Sequence, residues 1–287
     1  MTHTISVLLH TPAHSQVAGA LTYLSEHALA PGTLVRVPWG KREVLGVVWD
    51  DAPDAQVDAS KLRPIAGPLD GIAPLSATWR QLVGFAAHYY QRSAGEVALS
   101  ALPPQLRDLD TQQLGRRLKR HAKTRPEGLP GQVGSPAPVA LTAEQTSAMA
   151  TIAQEPGPFL LFGATGSGKT EVYLHTAQEL LARQPTAQVL VMVPEINLTP
   201  QLEARFMARF GPVYGEQAVV SMHSGMTPAQ RLKSWLAAHS GAARIVLGTR
   251  MAVFASCPKL QLIIVDEEHD PSSVSYTHLT LPTNREV

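Results

Sequence analysis

Cysteine is nearly absent: Cys257 is the only one among 287 residues. An intramolecular disulfide and a cysteine-based zinc cluster are therefore excluded within this chain. Cys257 itself reads as a small buried hydrophobe, not a reactive thiol. No apolar run approaches the roughly 18–20 residues that a membrane-spanning helix needs. The N-terminal MTHTISVLLHTPAHS lacks the basic stretch and apolar stretch of a secretory signal. A cytoplasmic protein with no membrane partner is the expectation. Charge is also scarce and nearly balanced, with 16% charged residues and a formal net charge of +1. No global field draws nucleic acid, so any such contact has to come from local patches. The 44% hydrophobic content excludes wholesale disorder. The length suits two domains at roughly 100–200 residues each.

What is present is a loop built for phosphate. Phe159-Leu160-Leu161-Phe162 is an apolar run that predicts a buried strand. Gly163, Thr165, Gly166, Ser167 and Gly168 follow, then Lys169-Thr170 and an apolar-periodic segment from Val172 to Leu181. This is G-x-x-x-x-G-K-T between a strand and a helix. Such a loop can turn its backbone N–H groups around phosphates, with the helix N-terminus adding a positive dipole. Lys169 is placed to reach the β- and γ-phosphates of a triphosphate, and the Thr170 hydroxyl to hold Mg²⁺.

The chain before residue 140 is of a different kind. Ile5–Leu9, Thr33–Val37 and Val44–Trp49 read as strands separated by Gly/Pro turns, which predicts a small β-rich unit. Trp39, Gly40, Lys41 and Arg42 fall in a turn between two strands, where a hairpin tip is the plainer reading than a nucleotide contact. Leu75 to Tyr90 has helical spacing, and its aromatics Trp79, Tyr89 and Tyr90 are expected in the core. Glu96 to Leu102 is a second short helix. Residues 104–140 shift in composition to a linker: six Lys/Arg between Arg116 and Arg125 with no acid, then a Pro/Gly-rich stretch.

From Leu141 a strand–helix rhythm sets in, with Thr142 as N-cap of the first helix. It predicts an α/β lobe with a mostly parallel sheet and helices on both faces. Leu260 to Val265 is expected as a buried strand, and Asp266-Glu267-Glu268-His269 lies just past its carboxyl end, where open α/β sheets bind ligands. Asp266 suits Mg²⁺, and Glu267 can polarise the water that attacks a γ-phosphate. His269 has no partner cluster for zinc and fits a polar relay between nucleotide and nucleic acid. Three more strand-to-helix junctions, at Pro194–Gln201, His223–Gly225 and Gly248–Arg250, offer amides and hydroxyls to a nucleic-acid strand. Thr199, Gln201, Thr249 and Arg250 are the candidate contacts there.

GATGSGKTEVYL, VPEINLTPQ, HSG, GTRMAVFA and VDEEHD, in this order, resemble the first lobe of superfamily 2 helicases of the primosomal protein N′ (PriA) family, over about residues 141–270. That resemblance implies a RecA-like lobe, an ATP and Mg²⁺ requirement, and Gln145 near the adenine. GTLVRVPWGKREVLGVVW resembles the family's domain that holds the 3′ end of a nascent DNA strand. It implies that residues 1–103 form this domain, with Gly40 in the 3′-end pocket and Lys61 or Arg63 as its basic contributor. The implied function is an ATP-hydrolysing 3′-to-5′ DNA helicase of replication restart. Its implied partners are single-stranded and branched DNA, other primosome proteins and single-strand-binding protein.

The sequence departs from the family pattern in several places. Leu21-Thr22 stands where the family has a Phe-Asp pair, and Asn197 replaces a glycine. The winged-helix domain expected between the two units has no counterpart beyond the linker. Residues 271–287 do not resemble the family, and the second lobe and the zinc site expected of whole family proteins have no counterpart here. Weak nucleotide binding and poor hydrolysis by this chain are the resulting expectation. Two rival readings stay open: a fork- or single-strand-binding module with a vestigial nucleotide site, and another P-loop DNA translocase.

Overall fold

The computed structural model describes residues 2–11, 19–54, 56–108, 113–118, 140–164, 166–194 and 198–267. In the N-terminal unit, β1 (His3–Leu9), β2 (Leu21–Ser25), β3 (Leu34–Trp39), β4 (Arg42–Val48) and β5 (Gly67–Pro68) form one antiparallel sheet in the order β2-β1-β4-β3-β5. The β3–β4 hairpin turns on Gly40 and Lys41, with Trp39 paired to Arg42. Gly40 has φ +62°, a left-handed backbone that a two-residue hairpin turn requires and glycine supplies without strain. β2 and β5 had no expectation from sequence. LTYLS carries little apolar alternation. β5 is two residues long and ends on a proline, which lacks the N–H that a longer ladder would use.

Helices α1 (Ala77–Tyr89), α2 (Ala94–Ala101) and α3 (Pro104–Asp108) follow. Ser76 and Ser93 cap the first two, accepting hydrogen bonds from the Trp79 and Glu96 amides at 3.2 and 3.1 Å. The aromatic stripe expected in the core divides. Trp79 is buried, while Tyr89 and Tyr90 are exposed. Tyr90 lies at the C-cap, and Tyr89 stacks on Phe85 along the solvent side, with centroids 5.8 Å apart.

The second unit holds α4 (Ala143–Gln154), α5 (Lys169–Arg183), β6 (Gln188–Met192), α6 (Pro200–Tyr214), β7 (Val219–Met222), α7 (Pro228–His239), β8 (Ile245–Gly248) and β9 (Leu260–Val265), with a 3-10 turn at Arg250–Phe254. The four strands are parallel in the order β7-β8-β6-β9. Alternate side chains go to opposite faces. Val189, Val191, Ile245 and Leu247 pack with Leu174, Leu181, Phe206 and Phe210 of α5 and α6. Leu190 and Val246 pack instead with Leu232, Trp235 and Leu236 of α7. Both faces of the sheet are thus covered by helices, as the strand–helix rhythm implied.

Two expectations need correcting. Residues 159–162 are not a strand: no strand pairs with them among the described residues, and Leu160 and Phe162 are 85% and 92% exposed. Apolar composition cannot make a strand without a neighbour to accept its backbone hydrogen bonds. β9 is also not buried on both faces. Among the described residues it is an edge strand, with Leu262 and Ile264 covered while Ile263 is 55% exposed.

The two units share a core. Leu8, Leu34, Trp79 and Leu99 belong to the same apolar cluster as Trp235, Leu236 and Ala252. Polar bonds pin this seam. Trp79 Nε1 donates to the Phe254 carbonyl at 2.9 Å. The buried His239 ring stacks on Trp235 and spans between the Ala73 carbonyl and Ser256 Oγ, 2.9 Å from each. Because a carbonyl only accepts, Nε2 carries the proton and Nδ1 accepts from Ser256. Burial lowers the His239 pKa, opposed by its bond to Ala73. The unfolded chain then takes up the proton first as pH falls, so the stabilising contribution of neutral His239 is complete above about pH 6.5 and declines below it. Urea midpoints should drop as pH falls below about 6.5, and His239→Gln should flatten that drop; an equal slope in the variant would remove His239 as its cause.

Candidate functional site

The register of the parallel sheet sets the geometry. Met192 pairs with both Gly248 and Val265, and Met222 pairs with Gly248, so all four carboxyl ends lie level. The segments leaving them, at residues 193–194, 223–225, 249–250 and 266–267, therefore gather along one edge. This is the edge at which open α/β sheets bind ligands.

The phosphate loop meets this edge from the neighbouring helix. Gly166 and Gly168 have φ +83° and +82°. A Cβ at Gly168 would displace the Gln145 amide, while the left-handed backbone is what requires glycine there. Lys169 opens α5, and its Nζ donates to the Gly163 and Ala164 carbonyls at 2.7 and 3.1 Å. Gln145 serves two elements at once. Its Oε1 accepts from the Thr142 amide and closes a capping box on α4. Its Nε2 donates to the Ser167 and Gly168 carbonyls at 3.3 and 3.4 Å. Gln145 thus braces the loop from outside. Thr165 lies outside the described residues.

Asp266 is held from two sides. Its amide donates to the Met192 carbonyl at 2.8 Å, and its Oδ2 accepts from the Tyr173 hydroxyl at 3.0 Å. Tyr173 stands on α5 three residues after Thr170, hence on the same helix face. Burial, together with the adjacent Asp266 charge, pushes the Tyr173 pKa well above its ordinary value, so the phenol remains a donor. Sequence reasoning missed Tyr173, although its i+3 spacing from Thr170 was the available signal. Glu267 follows with φ +49°, a left-handed backbone unusual for a residue with a side chain, and its amide donates to Asp266 Oδ1 at 3.1 Å. His269 lies outside the described residues, as do residues 195–197.

These residues fit a Mg²⁺-bound triphosphate. Gly166 and Gly168 supply left-handed turns, a 15-residue helix supplies the dipole, and the Tyr173 bond ties the helix of Thr170 to the carboxylate of Asp266. Thr170 and Asp266 are the residues that would hold the metal ion.

The remaining candidates divide. Thr199 caps α6, accepting from the Leu202 amide at 3.3 Å, and Gln201 is exposed in the first turn. Thr249 is only 1% exposed, so its side chain has no surface to offer a strand. Its part is to end β8 through its amide bond to Met222, placing the exposed Arg250 at the edge. In the N-terminal unit, Arg63 Nη1 donates to the Gly40 carbonyl at 3.3 Å, bringing those two expected pocket residues together. Lys61 ends a 3-10 turn and is itself exposed, and among the described residues it has no such bond to Gly40.

A second cluster was not foreseen. Glu171, in the first turn of α5, is 7% exposed. Its two oxygens accept from Arg205 and Arg209 of α6 at 2.6 Å each. Burial alone would raise its pKa, but the two guanidinium groups outweigh this and hold it below the ordinary carboxylate value.

Two family models match the chain: the 3′DNA-binding domain over residues 6–103 and the DEAD/DEAH box helicase over residues 142–280. The second match runs ten residues past the boundary placed at 270 from sequence. The replication restart protein PriA of Haemophilus influenzae is 32% identical over 85% of this chain, which spans 42% of that relative. The proteins of the same name from Bacillus subtilis and Synechocystis are 43% and 46% identical over 47% and 49% of the chain, corresponding to 16% of each relative.

Tyr173→Phe removes the hydroxyl that orients Asp266. It is expected to weaken Mg²⁺-dependent binding of a fluorescent ATP analogue by about tenfold, the scale of one hydrogen bond to a charged acceptor. An unchanged Mg²⁺ dependence would separate Tyr173 from the metal site.

Proposed function

Because the chain belongs to the PriA family of replication restart proteins, and matches its N-terminal part, we propose that it binds Mg²⁺–ATP at the phosphate loop and single-stranded DNA along the carboxyl edge of the parallel sheet. The activity served is that of an ATP-hydrolysing 3′-to-5′ DNA helicase acting at stalled or branched forks. The observation that carries this reading is the Tyr173–Asp266 bond, which joins the helix of the phosphate loop to the acid at the sheet edge.

Each residue has a physical task. Lys169 exchanges its loop carbonyls for phosphate oxygens, which are stronger acceptors because they are charged. Thr170 and Asp266 hold Mg²⁺, which neutralises charge on the phosphates. Glu267 accepts a proton from the attacking water. Gln145 fixes the loop and contacts the base. Thr199, Gln201 and Arg250 meet the DNA backbone. Gly40, with Arg63 or Lys61, receives a 3′ end.

The setting is the cytoplasm, with other primosome proteins and single-strand-binding protein as partners. No helix among the described residues is long and apolar enough to cross a membrane.

Wild-type chain is expected to bind a fluorescent ATP analogue, and Lys169→Ala to lose that binding. Both should bind an oligonucleotide with a free 3′ end, with affinity falling steeply as salt rises. DNA binding with nucleotide affinity indifferent to Lys169→Ala would favour a DNA-binding module with a vestigial nucleotide site.

A further inference from the structure

Glu171 sits one residue beyond Thr170, in the first turn of the helix that follows the phosphate loop. An acid at a helix N-terminus is ordinarily favourable, but here it stands beside the place assigned to a triphosphate, where a bare negative charge would repel the ligand. Arg205 and Arg209 remove that conflict. Both come from α6, four residues apart and so on one face, and each takes one carboxylate oxygen at 2.6 Å.

The cluster extends further down both helices. Arg209 Nε donates to Gln178 Oε1 at 2.8 Å, and its Nη2 meets His175 Nε2 at 3.0 Å. The guanidinium can only donate, so His175 Nε2 accepts and Nδ1 carries the proton. Nδ1 in turn lies 2.9 Å from the Glu171 carbonyl and 3.3 Å from Glu171 Oε1. Residues 171, 175 and 178 of α5 are thereby locked to 205 and 209 of α6. Stacked rings continue the contact: Tyr173 lies on Phe206 and Phe206 on Phe210, at 6.3 and 6.0 Å.

Each locked helix leads to a different ligand site. α5 begins at Lys169-Thr170, and α6 begins at the Thr199 cap and Gln201. A buried ion cluster adds little net stability compared with apolar packing of the same volume, so stability alone is a poor account of it. We propose that Glu171, with Arg205 and Arg209, is the rigid joint that couples occupancy of the phosphate loop to the single-strand-contacting N-terminus of α6. Glu171 is a positioning residue that acts through both helices. This rests on the function proposed above.

The test is thermodynamic linkage in the full chain. Fluorescent ATP-analogue binding with Mg²⁺ is titrated with and without saturating oligo(dT), and labelled oligo(dT) binding with and without the analogue. In the wild type each ligand should change the other's Kd by the same factor, at least about fivefold. In Glu171→Gln that factor should collapse toward one, while each ligand alone keeps its Kd within about twofold. A wild-type factor of one overturns the joint, as does a variant that keeps the factor or loses its affinity for a single ligand. Should Glu171→Gln fail to fold, Arg205→Gln decides by the same criteria, because the Arg205 side chain is half exposed. A wild-type chain that binds no nucleotide overturns the proposed function as well; nucleotide and DNA binding without coupling overturns the joint alone.

Discussion

The hydrogen-bond register of the parallel sheet is the constraint on which the site depends. Parallel pairing joins strands that run in one direction, so the loop leaving each strand emerges on the same side. Met192, Met222, Gly248 and Val265 are brought level by three ladders. The residues that follow them are separated by tens of positions in sequence yet share one edge. Gln188 secures the other end. It is fully buried at the start of β6, donating to the Ala238 and Ala243 carbonyls and accepting from the Lys259 amide. A buried amide with both ends satisfied costs little and fixes three segments at once. Shifting β6 by one residue would strand this amide and exchange the faces of Val189 and Leu190.

The same sheet joins the lobe to the N-terminal unit. Its α5–α6 face has a core of its own, while the α7 face shares one with β1, β3, α1 and α2. Among the described residues the α5–α6 face thus packs without the N-terminal unit, and the opposite face does not. Trp79 and His239 contribute direction to this seam as well as area, since each has a ring nitrogen that must meet a particular carbonyl.

Much of this was legible in the sequence, for definable reasons. Lys169, Thr170 and Asp266 carry chemistry in their residue types and sit at breaks between apolar runs, and the Tyr173 bond ties the helix that begins with Lys169 and Thr170 to Asp266. The parallel strands β6 to β9 were legible as apolar runs between helical periods. What escaped depended on partners distant in sequence. Residues 159–162 have the composition of a strand, but strand formation needs a neighbour. Tyr89 and Tyr90 look like core residues until the end of α1 is fixed at Tyr89. Thr249 reads as a hydroxyl at a junction, and only packing shows that it is covered. Glu171 drew no reading from the sequence, because its role depends on Arg205 and Arg209, more than thirty residues later.

The edge position of β9 gives Tyr173 added weight. A strand inside a sheet is fixed by ladders on both sides, whereas among the described residues β9 pairs with β6 alone. Leu262 and Ile264 anchor one face, but Ile263 and Val265 on the other are exposed. The end of such a strand is held by few groups, and Asp266 stands there at the start of a turn that places Glu267 in a left-handed conformation. The Met192 carbonyl fixes the Asp266 backbone, and the Glu267 amide donates to Oδ1. The Tyr173 hydroxyl holds the other carboxylate oxygen, and does so from the helix that carries Thr170. The two residues that would share a metal ion are therefore linked through one side chain, whose own ring stacks on Phe206 of α6. The edge strand is thereby tied to the α5–α6 pair at the end where Asp266 stands.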